Sequence, residues 1–180
     1  MLDRPQLTIF EADLSNKSSV TEALEGSDTV FLVTNYWESA NYDVEFSQGK
    51  NVADAAKELG VKHLIFSTLL HVGKETKGRL SHVPHFEAKA DIEEYIKKIG
   101  VPASFYLPGY FMSNFKQSIR KGEDGSLSFA MPVSKDAKFP LIDIAEDTGK
   151  CWTCKINRFF VLTTSQASLS MEFSGTVMRP

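Results

Sequence analysis

Short unbroken runs of apolar residues recur along the chain, separated by stretches in which apolar residues follow helical spacing. The run Thr-Val-Phe-Leu-Val at 29–33 is the clearest, and it is typical of a parallel strand covered on both faces. Weaker runs predict strands over 7–10, 61–68 and 103–107. We expect the strand at 29–33 to be a central strand of a sheet.

Helical spacing fills the segments between these runs. A Ser-x-x-Glu capping box at 19–22 predicts a short helix that ends at Gly26. A second predicted helix ends at Gly60, and its face contains Gly49, Val52, Ala53, Ala56 and Leu59. A third ends at Gly100, and its face contains Ala88, Ile92, Tyr95, Ile96 and Ile99. This alternation favours βαβ units in a doubly wound parallel sheet.

The alternation gives way to a mixed pattern beyond Gly109. Spacing of i, i+4, i+8 predicts a helix over 111–119, and alternating apolar residues predict a strand over 127–131. We expect a small mixed α/β lobe on the substrate side of the sheet. Neither period holds near the end of the chain, so we divide it into a domain over 1–149 and a divergent, poorly structured tail over 150–180.

Composition narrows the class of protein. The 180 residues are 42% apolar, which is enough for the core of one domain or most of one. The net charge of −3 without a basic block disfavours direct binding of nucleic acid. The charged, proline-containing start of the chain predicts neither a signal peptide nor a membrane segment. Two cysteines favour a reducing compartment, either cytoplasmic or nuclear.

Cys151 and Cys154 form a C-x-x-C pair, which suggests zinc or redox chemistry. We reject zinc because no second cysteine pair exists and the four histidines all lie far upstream, at 63, 71, 82 and 85. We reject a redox dithiol because no helical pattern follows the pair. The sequence therefore predicts no metal site.

Ligands of an open parallel sheet bind beyond the carboxyl ends of its strands. The loop at 34–37 (Thr-Asn-Tyr-Trp) follows the central strand and could hold a planar, hydrogen-bonding ligand, although its aromatic rings could equally cap the core. His85 and Lys89 lie one turn apart at the start of a helix. This geometry suits an ammonium that binds ribose, but Lys89 could instead pair with Glu93, and His85 could be structural.

Five motifs in order resemble the NmrA-like family, an atypical branch of the short-chain dehydrogenase/reductase group. They are T-N-Y-W-E at 34–38, Q-G-K at 48–50, H-F-E-A-K at 85–89, G-V-P at 100–102 and P-G-Y-F at 108–111. The resemblance covers roughly residues 7–149. It implies an extended Rossmann fold that binds NADP or NAD. Several members sense the dinucleotide and regulate transcription factors.

The resemblance also implies roles for particular residues. Thr34, Asn35 and Tyr36 would line the nicotinamide side of the dinucleotide, and Lys89 would hold ribose hydroxyls. The adenine-side loop would contain Asp13 and Leu14. The segment that closes over the nicotinamide would consist of Tyr110, Phe111, Met112 and Ser113.

His85 stands where ordinary short-chain reductases carry the tyrosine that exchanges a proton with the substrate. An imidazole cannot take the role of a phenolate, although a protonated His85 could act as an acid. We therefore expect a dinucleotide sensor and transcriptional regulator that acts through a transcription-factor partner in the cytoplasm and nucleus. The alternative is an NADPH-dependent oxidoreductase.

The family's glycine-rich phosphate loop has no counterpart in this sequence. In the family this loop precedes the helix whose N-terminus holds the pyrophosphate. We expect an N-terminally truncated member that lacks the first βα unit, with reduced affinity for NADP or NAD. A further alternative is a truncated gene product without independent function.

Overall fold

The computed structural model describes residues 8–130, 134, 136–138 and 140–149, together with the backbone of strands Phe160–Thr163 and Thr176–Met178. The chain divides into two compact units. The first comprises Met1–Phe105 with Arg158–Gln166, and the second comprises Tyr106–Asn157 with Ala167–Pro180. Each unit is described separately below.

The helices are, in chain order, α1 (Lys17–Leu24), α2 (Tyr42–Glu58), α3 (Val72–Glu75), α4 (Pro84–Ile99) and α5 (Phe115–Ser118). The strands are β1 (Thr29–Val33), β2 (His63–Ser67), β3 (Ala103–Pro108), β4 (Tyr110–Phe111), β5 (Ile119–Lys121), β6 (Leu127–Phe129), β7 (Leu141–Ile142), β8 (Phe160–Thr163) and β9 (Thr176–Met178). No helix of the described part is long and apolar enough to cross a membrane.

The first unit is built on a sheet with the strand order β8, β1, β2, β3. β1 pairs in parallel with β2 on one side, with Phe31 opposite Ile65, and in parallel with β8 on the other. The predicted central position of β1 is therefore confirmed, as is the Rossmann-like α/β class. β1 and β2 are buried over most of their length, which explains their continuous apolar sequences.

The strand predicted over 7–10 is wrong for the residues that the structure describes. Residues 8–10 form no strand, and the side chain of Ile9 is 84% exposed. A β-branched run forms a strand only where a neighbouring strand offers hydrogen bonds. Both sides of β1 are already occupied, by β8 and β2. Residue 7 lies outside the described residues.

Polar caps determine where the first two helices begin. α1 starts after Asn16, whose side chain accepts hydrogen bonds from the amides of Ser18 and Ser19, so the predicted cap at Ser19 is three residues late. α2 starts after Asn41, whose side chain accepts from two amides of the first turn. Its first turns carry buried polar residues, which is why apolar spacing detected the helix only from Gly49 onward.

The core of the first unit joins β1 and β2 to α2 and α4. The residues without solvent exposure include Leu24, Val30, Leu32, Val52, Leu64, Phe66, Ile92 and Ile96. α2 and α4 approach closely at Gly49, where a Cβ atom would lie 2.5 Å from Ile92 Cδ1. α4 ends as predicted at Gly100, which has a φ of +75°.

The second unit contains short strands and turns, in keeping with the predicted mixed lobe. The single helix predicted over 111–119 is wrong. It is replaced by a 3-10 turn at Met112–Asn114, the short α5, and then β5. β5 turns back through Gly125 (φ +80°) to pair antiparallel with β6, and this hairpin takes Ile119 out of the helix. The strand predicted over 127–131 is confirmed for Leu127–Phe129, and residues 131–133 lie outside the described residues.

The other pairs in the second unit are β4 with β7 in parallel, and the end of β3 with β9 in antiparallel. The tail predicted over 150–180 lies outside the described residues except for the backbones of β8 and β9. Cys151 and Cys154 lie outside them as well. The division at residue 149 therefore stays a prediction.

Candidate functional site

The ammonium of Lys89 lies where β1 ends. Lys89 is in the second turn of α4, and Thr34 directly follows β1. The Nζ atom donates to the Thr34 carbonyl oxygen at 2.6 Å and to the Thr34 hydroxyl at 2.8 Å. The structure thus brings together two of the residues predicted from sequence, at the carboxyl edge of the parallel sheet, where ligands of such sheets bind.

Glu45 of α2 completes this cluster. Its Oε1 atom accepts from Lys89 Nζ at 2.6 Å and from the Thr34 hydroxyl at 2.7 Å. The side chain of Glu45 is 1% exposed and that of Lys89 is 14% exposed. The other carboxylate oxygen, Oε2, is buried and has no hydrogen-bond partner among the described residues. A charge pair is therefore held almost out of contact with solvent.

Burial and the neighbouring carboxylate act on the Lys89 ammonium in opposite directions. Loss of solvation lowers the pKa of Lys89, and it outweighs the Coulombic attraction and hydrogen bond of Glu45, which raise it. The pKa therefore lies below that of an ordinary lysine. Such a lysine is suited to bind a polar ligand, because its ammonium has already lost most of its solvation before the ligand arrives.

Thr68 supports Lys89 from the end of β2. It follows the last residue of that strand and is fully buried. Its hydroxyl donates to the Lys89 carbonyl oxygen at 3.2 Å. This bond ties the second turn of α4 to the edge of the sheet. The Thr68 hydroxyl after β2 therefore fixes the backbone of Lys89, and the Thr34 hydroxyl after β1 fixes its ammonium.

An aromatic cluster lies one turn before Lys89 on α4. The ring of His85 lies 5.7 Å from that of Tyr36, 5.1 Å from that of Trp37 and 4.9 Å from that of Phe86, between centroids. Tyr36 is buried and its hydroxyl donates to the Ala40 carbonyl oxygen at 3.0 Å. Trp37 is 71% exposed. The loop thus caps the core through Tyr36 while leaving Trp37 open to a planar ligand.

The remaining predicted residues of the first unit sit in loops. Asn35 is the residue before the 3-10 turn Tyr36–Glu38. Leu14 is buried, and its carbonyl oxygen accepts from the Asn51 side chain of α2 at 2.9 Å. Asp13 Oδ1 accepts from the amide of Ser15 at 2.8 Å. The Leu14 side chain therefore belongs to the core, and its carbonyl oxygen is bonded within the protein.

The second unit holds the other four predicted residues, which are neighbours in sequence and structure. They are Tyr110 and Phe111 of β4, and Met112 and Ser113 of the 3-10 turn. Gly109 precedes them, and a Cβ atom there would lie 2.6 Å from the Pro140 carbonyl oxygen. This close approach allows β4 to pair with β7.

Sequence reasoning missed Glu45. Its position along the chain was one signal that could have found it. Glu45 lies four residues before Gly49 and seven before Val52, and therefore on the same face of the helix. A carboxylate in line with a buried face needs a partner, and Lys89 was the lysine already placed near the sheet edge. The alternative pairing of Lys89 with Glu93 is wrong, since Lys89 pairs with Glu45 and Glu93 pairs with Lys97.

Comparison with known proteins places the fold and the site in context. The sequence profile of the NmrA-like family matches residues 1–168, a longer stretch than the resemblance over roughly residues 7–149 noted above. An NmrA-like family domain-containing oxidoreductase, ptmS of Penicillium ochrochloron, is 32% identical over 78% of this chain and 47% of its own length. The nitrogen metabolite repression protein nmr of Neurospora crassa is 30% identical over 74% of this chain and 28% of its own length.

A solved structure of NmrA, a negative transcriptional regulator, in complex with NAD is also similar. Its TM-score is 0.65 at 25% identity, over 77% of this chain and 44% of that one. The chain thus spans less than half the length of these relatives. Since the family profile matches nearly the whole sequence, the chain belongs to the NmrA-like family.

Proposed function

We propose that this chain binds a nicotinamide dinucleotide through Lys89 and acts as a dinucleotide sensor that regulates transcription through a protein partner. The observation that carries the proposal is the largely desolvated Lys89 ammonium at the carboxyl edge of the sheet, held by Thr34 and Glu45. A charged donor in a desolvated site suits the vicinal hydroxyls of a ribose.

The donor and acceptor set fits a ribose. Its hydroxyls can accept from the Lys89 ammonium, and each also has a proton to donate. The Oε2 atom of Glu45 is a buried acceptor without a partner among the described residues, and leaving such a group unsatisfied is costly. The assignments of Asn35, Tyr36 and the residues at 13–14 and 110–113 to the dinucleotide stay predictions.

Two relatives support this choice. One solved structure with a similar fold, NmrA, is a negative transcriptional regulator in complex with NAD. The Neurospora crassa relative is named for nitrogen metabolite repression. We expect the present chain to act likewise, in the cytoplasm and nucleus, by presenting a surface to a transcription factor rather than by touching DNA, in line with its net charge of −3.

Isothermal titration calorimetry with NAD, NADH, NADP and NADPH tests dinucleotide binding. Lys89→Met removes the charged donor, and we expect it to weaken binding about ten-fold or more, the size of a lost charge-assisted hydrogen bond. Lys98→Met is the matched control, because Lys98 is an exposed lysine of the same helix. Absence of binding by the wild-type chain to all four dinucleotides would overturn the proposal.

Capture of partners tests the regulatory role. The tagged chain is incubated with nuclear extract, with and without the dinucleotide that it binds, and the captured proteins are identified by mass spectrometry. We expect a transcription factor whose recovery changes with the dinucleotide. Recovery that is the same in both arms would contradict a sensor.

A reductase is the second candidate, favoured by the relative named as an oxidoreductase. A bound NADPH would supply hydride to a carbonyl or quinone, and His85 could donate the proton. His85 lies among Tyr36 and Trp37, where a planar substrate could stack. Consumption of NADPH with a panel of such substrates, lost in His85→Ala, would favour this function over the sensor.

A further inference from the structure

The Lys89 ammonium already has a full set of partners without any ligand. An ammonium has three N–H donors, and three acceptors lie within hydrogen-bond distance of Nζ. They are the Thr34 carbonyl oxygen, the Thr34 hydroxyl and Glu45 Oε1, at 2.6, 2.8 and 2.6 Å. A ligand hydroxyl that accepts from Lys89 must therefore replace one of these three.

The three acceptors differ in how readily they are replaced. The bond to Glu45 joins two charges and is the strongest. The Thr34 carbonyl is fixed to the backbone at the end of β1. The Thr34 hydroxyl is neutral, gives the longest of the three bonds, and already donates to Glu45 at 2.7 Å. A ligand hydroxyl is closest in chemistry to this group and replaces it at the lowest cost.

From this geometry we infer that Glu45 is a positioning residue, which holds the Lys89 ammonium at the end of β1 while a ribose hydroxyl replaces the Thr34 hydroxyl. The inference rests on the proposed dinucleotide function. It adds to that function a counter-charge supplied by α2, an element that contains none of the residues assigned to the dinucleotide from the sequence.

Electrostatics gives the inference a signature that a purely structural role would lack. Of the elements packed around Lys89, α2 contributes Glu45 as the charged group that raises its pKa, whereas desolvation lowers it. The ends of β1 and β2 contribute the hydroxyls of Thr34 and Thr68, and α4 itself carries His85 one turn earlier. Removing the Glu45 charge leaves desolvation unopposed, so Lys89 should lose its proton at a lower pH.

The test compares dinucleotide affinity across pH for the wild type and Glu45→Gln, measured by calorimetry with NADH from about pH 6 to 10. We expect wild-type affinity to fall on the alkaline side as Lys89 loses its proton. In Glu45→Gln this fall should move to lower pH, and affinity near neutral pH should drop about ten-fold. Asp43→Asn is the control, since Asp43 is exposed in the first turn of the same helix, and it should leave the profile in place.

A second readout needs no dinucleotide. The ¹³Cε resonance of Lys89, assigned by its loss in Lys89→Met, should titrate at lower pH in Glu45→Gln than in the wild type. If Glu45→Gln does not fold, Glu45→Asp keeps the charge but shortens its reach, and should give a smaller shift in the same direction. A Lys89 titration unchanged by either substitution would overturn the role of Glu45. Absence of NADH binding with a shifted titration would instead refute only the dinucleotide function.

Discussion

Replacing Gly49 by alanine tests whether the close packing of α2 against α4 sets the geometry of the site. An ideal Cβ atom at Gly49 would lie 2.5, 2.7 and 2.7 Å from three side-chain atoms of Ile92. Glu45 lies one turn before Gly49, and Lys89 lies three residues before Ile92. The same contact that holds the helices together thus controls the approach of the carboxylate to the ammonium.

Two opposing effects give the expected magnitude. Alanine is favoured over glycine inside a helix by about 0.5–1 kcal/mol. Adding a methyl group to a closely packed core costs about 1–3 kcal/mol, and Ile92 lies in the core without solvent exposure. The packing cost should prevail, so Gly49→Ala should lower the free energy of unfolding by about 1–2 kcal/mol.

Equilibrium unfolding in urea, followed by tryptophan fluorescence, measures this change. At a slope of about 2 kcal/mol per molar urea, the midpoint should fall by about 0.5–1 M. Ser47→Ala is the matched control, because Ser47 is exposed on the same helix and should gain a few tenths of a kcal/mol from helix propensity, about 0.5 at most.

The decisive comparison repeats Gly49→Ala in a protein that already carries Ile92→Ala, which removes all three of the crowded atoms. In this background Gly49→Ala should stabilise the protein by about 0.5–1 kcal/mol, the helix propensity alone. Ile92→Val, which retains two of the atoms, serves the same purpose less completely if the alanine variant is too unstable. Gly49→Ala that stabilises the wild type, or that destabilises both backgrounds equally, would refute the reasoning.

Two further predictions concern a phenol and a helix end. Tyr42 donates to Asp91 Oδ2 at 2.7 Å, and burial together with this bond raises the pKa of Tyr42 to about 12. The protonated Tyr42 side chain therefore contributes fully to stability below about pH 10, and this contribution is lost as the pH rises through 12. The phenolate absorbance of Tyr42, identified by its loss in Tyr42→Phe, should appear at a higher pH in the wild type than in Asp91→Asn. Equal titration in both proteins would contradict the role of Asp91. Gly100→Ala should destabilise the protein by about 1 kcal/mol. A Cβ atom at Gly100 would meet no other atom, so the cost comes from its φ of +75° alone. Gly149→Ala is the control in the same urea experiment and should be neutral, because a Cβ atom at Gly149 also lies in open space and its φ is not positive.

The sequence was sufficient for those elements in which local pattern and packing agree. The run at 29–33 became a central strand, paired with β8 and β2 along its two edges and buried over most of its length. α4 ended at Gly100 because glycine tolerates the left-handed conformation. The segment 111–119 has helical spacing too, yet Ile119 pairs with Phe129 in a hairpin. Spacing alone does not reveal such competition from a distant partner.

The candidate site was predictable only in part, for a related reason. Lys89 and Thr34 were found because each stands next to a recognisable element, a helix start and a strand end. Glu45 was missed because apolar periodicity treats a glutamate as exposed. Its burial depends on a lysine 44 residues further along the chain, and that long-range pairing exists only once α2 and α4 have packed.

The most direct test of the central claim is a crystal structure of the chain with NADH bound. We predict that a ribose hydroxyl lies within about 3 Å of Lys89 Nζ, as in a hydrogen bond, that Glu45 Oε1 keeps its bond to the same ammonium, and that the Thr34 hydroxyl has given up its place. A bound dinucleotide that leaves all three protein partners of Lys89 in place would contradict the claim.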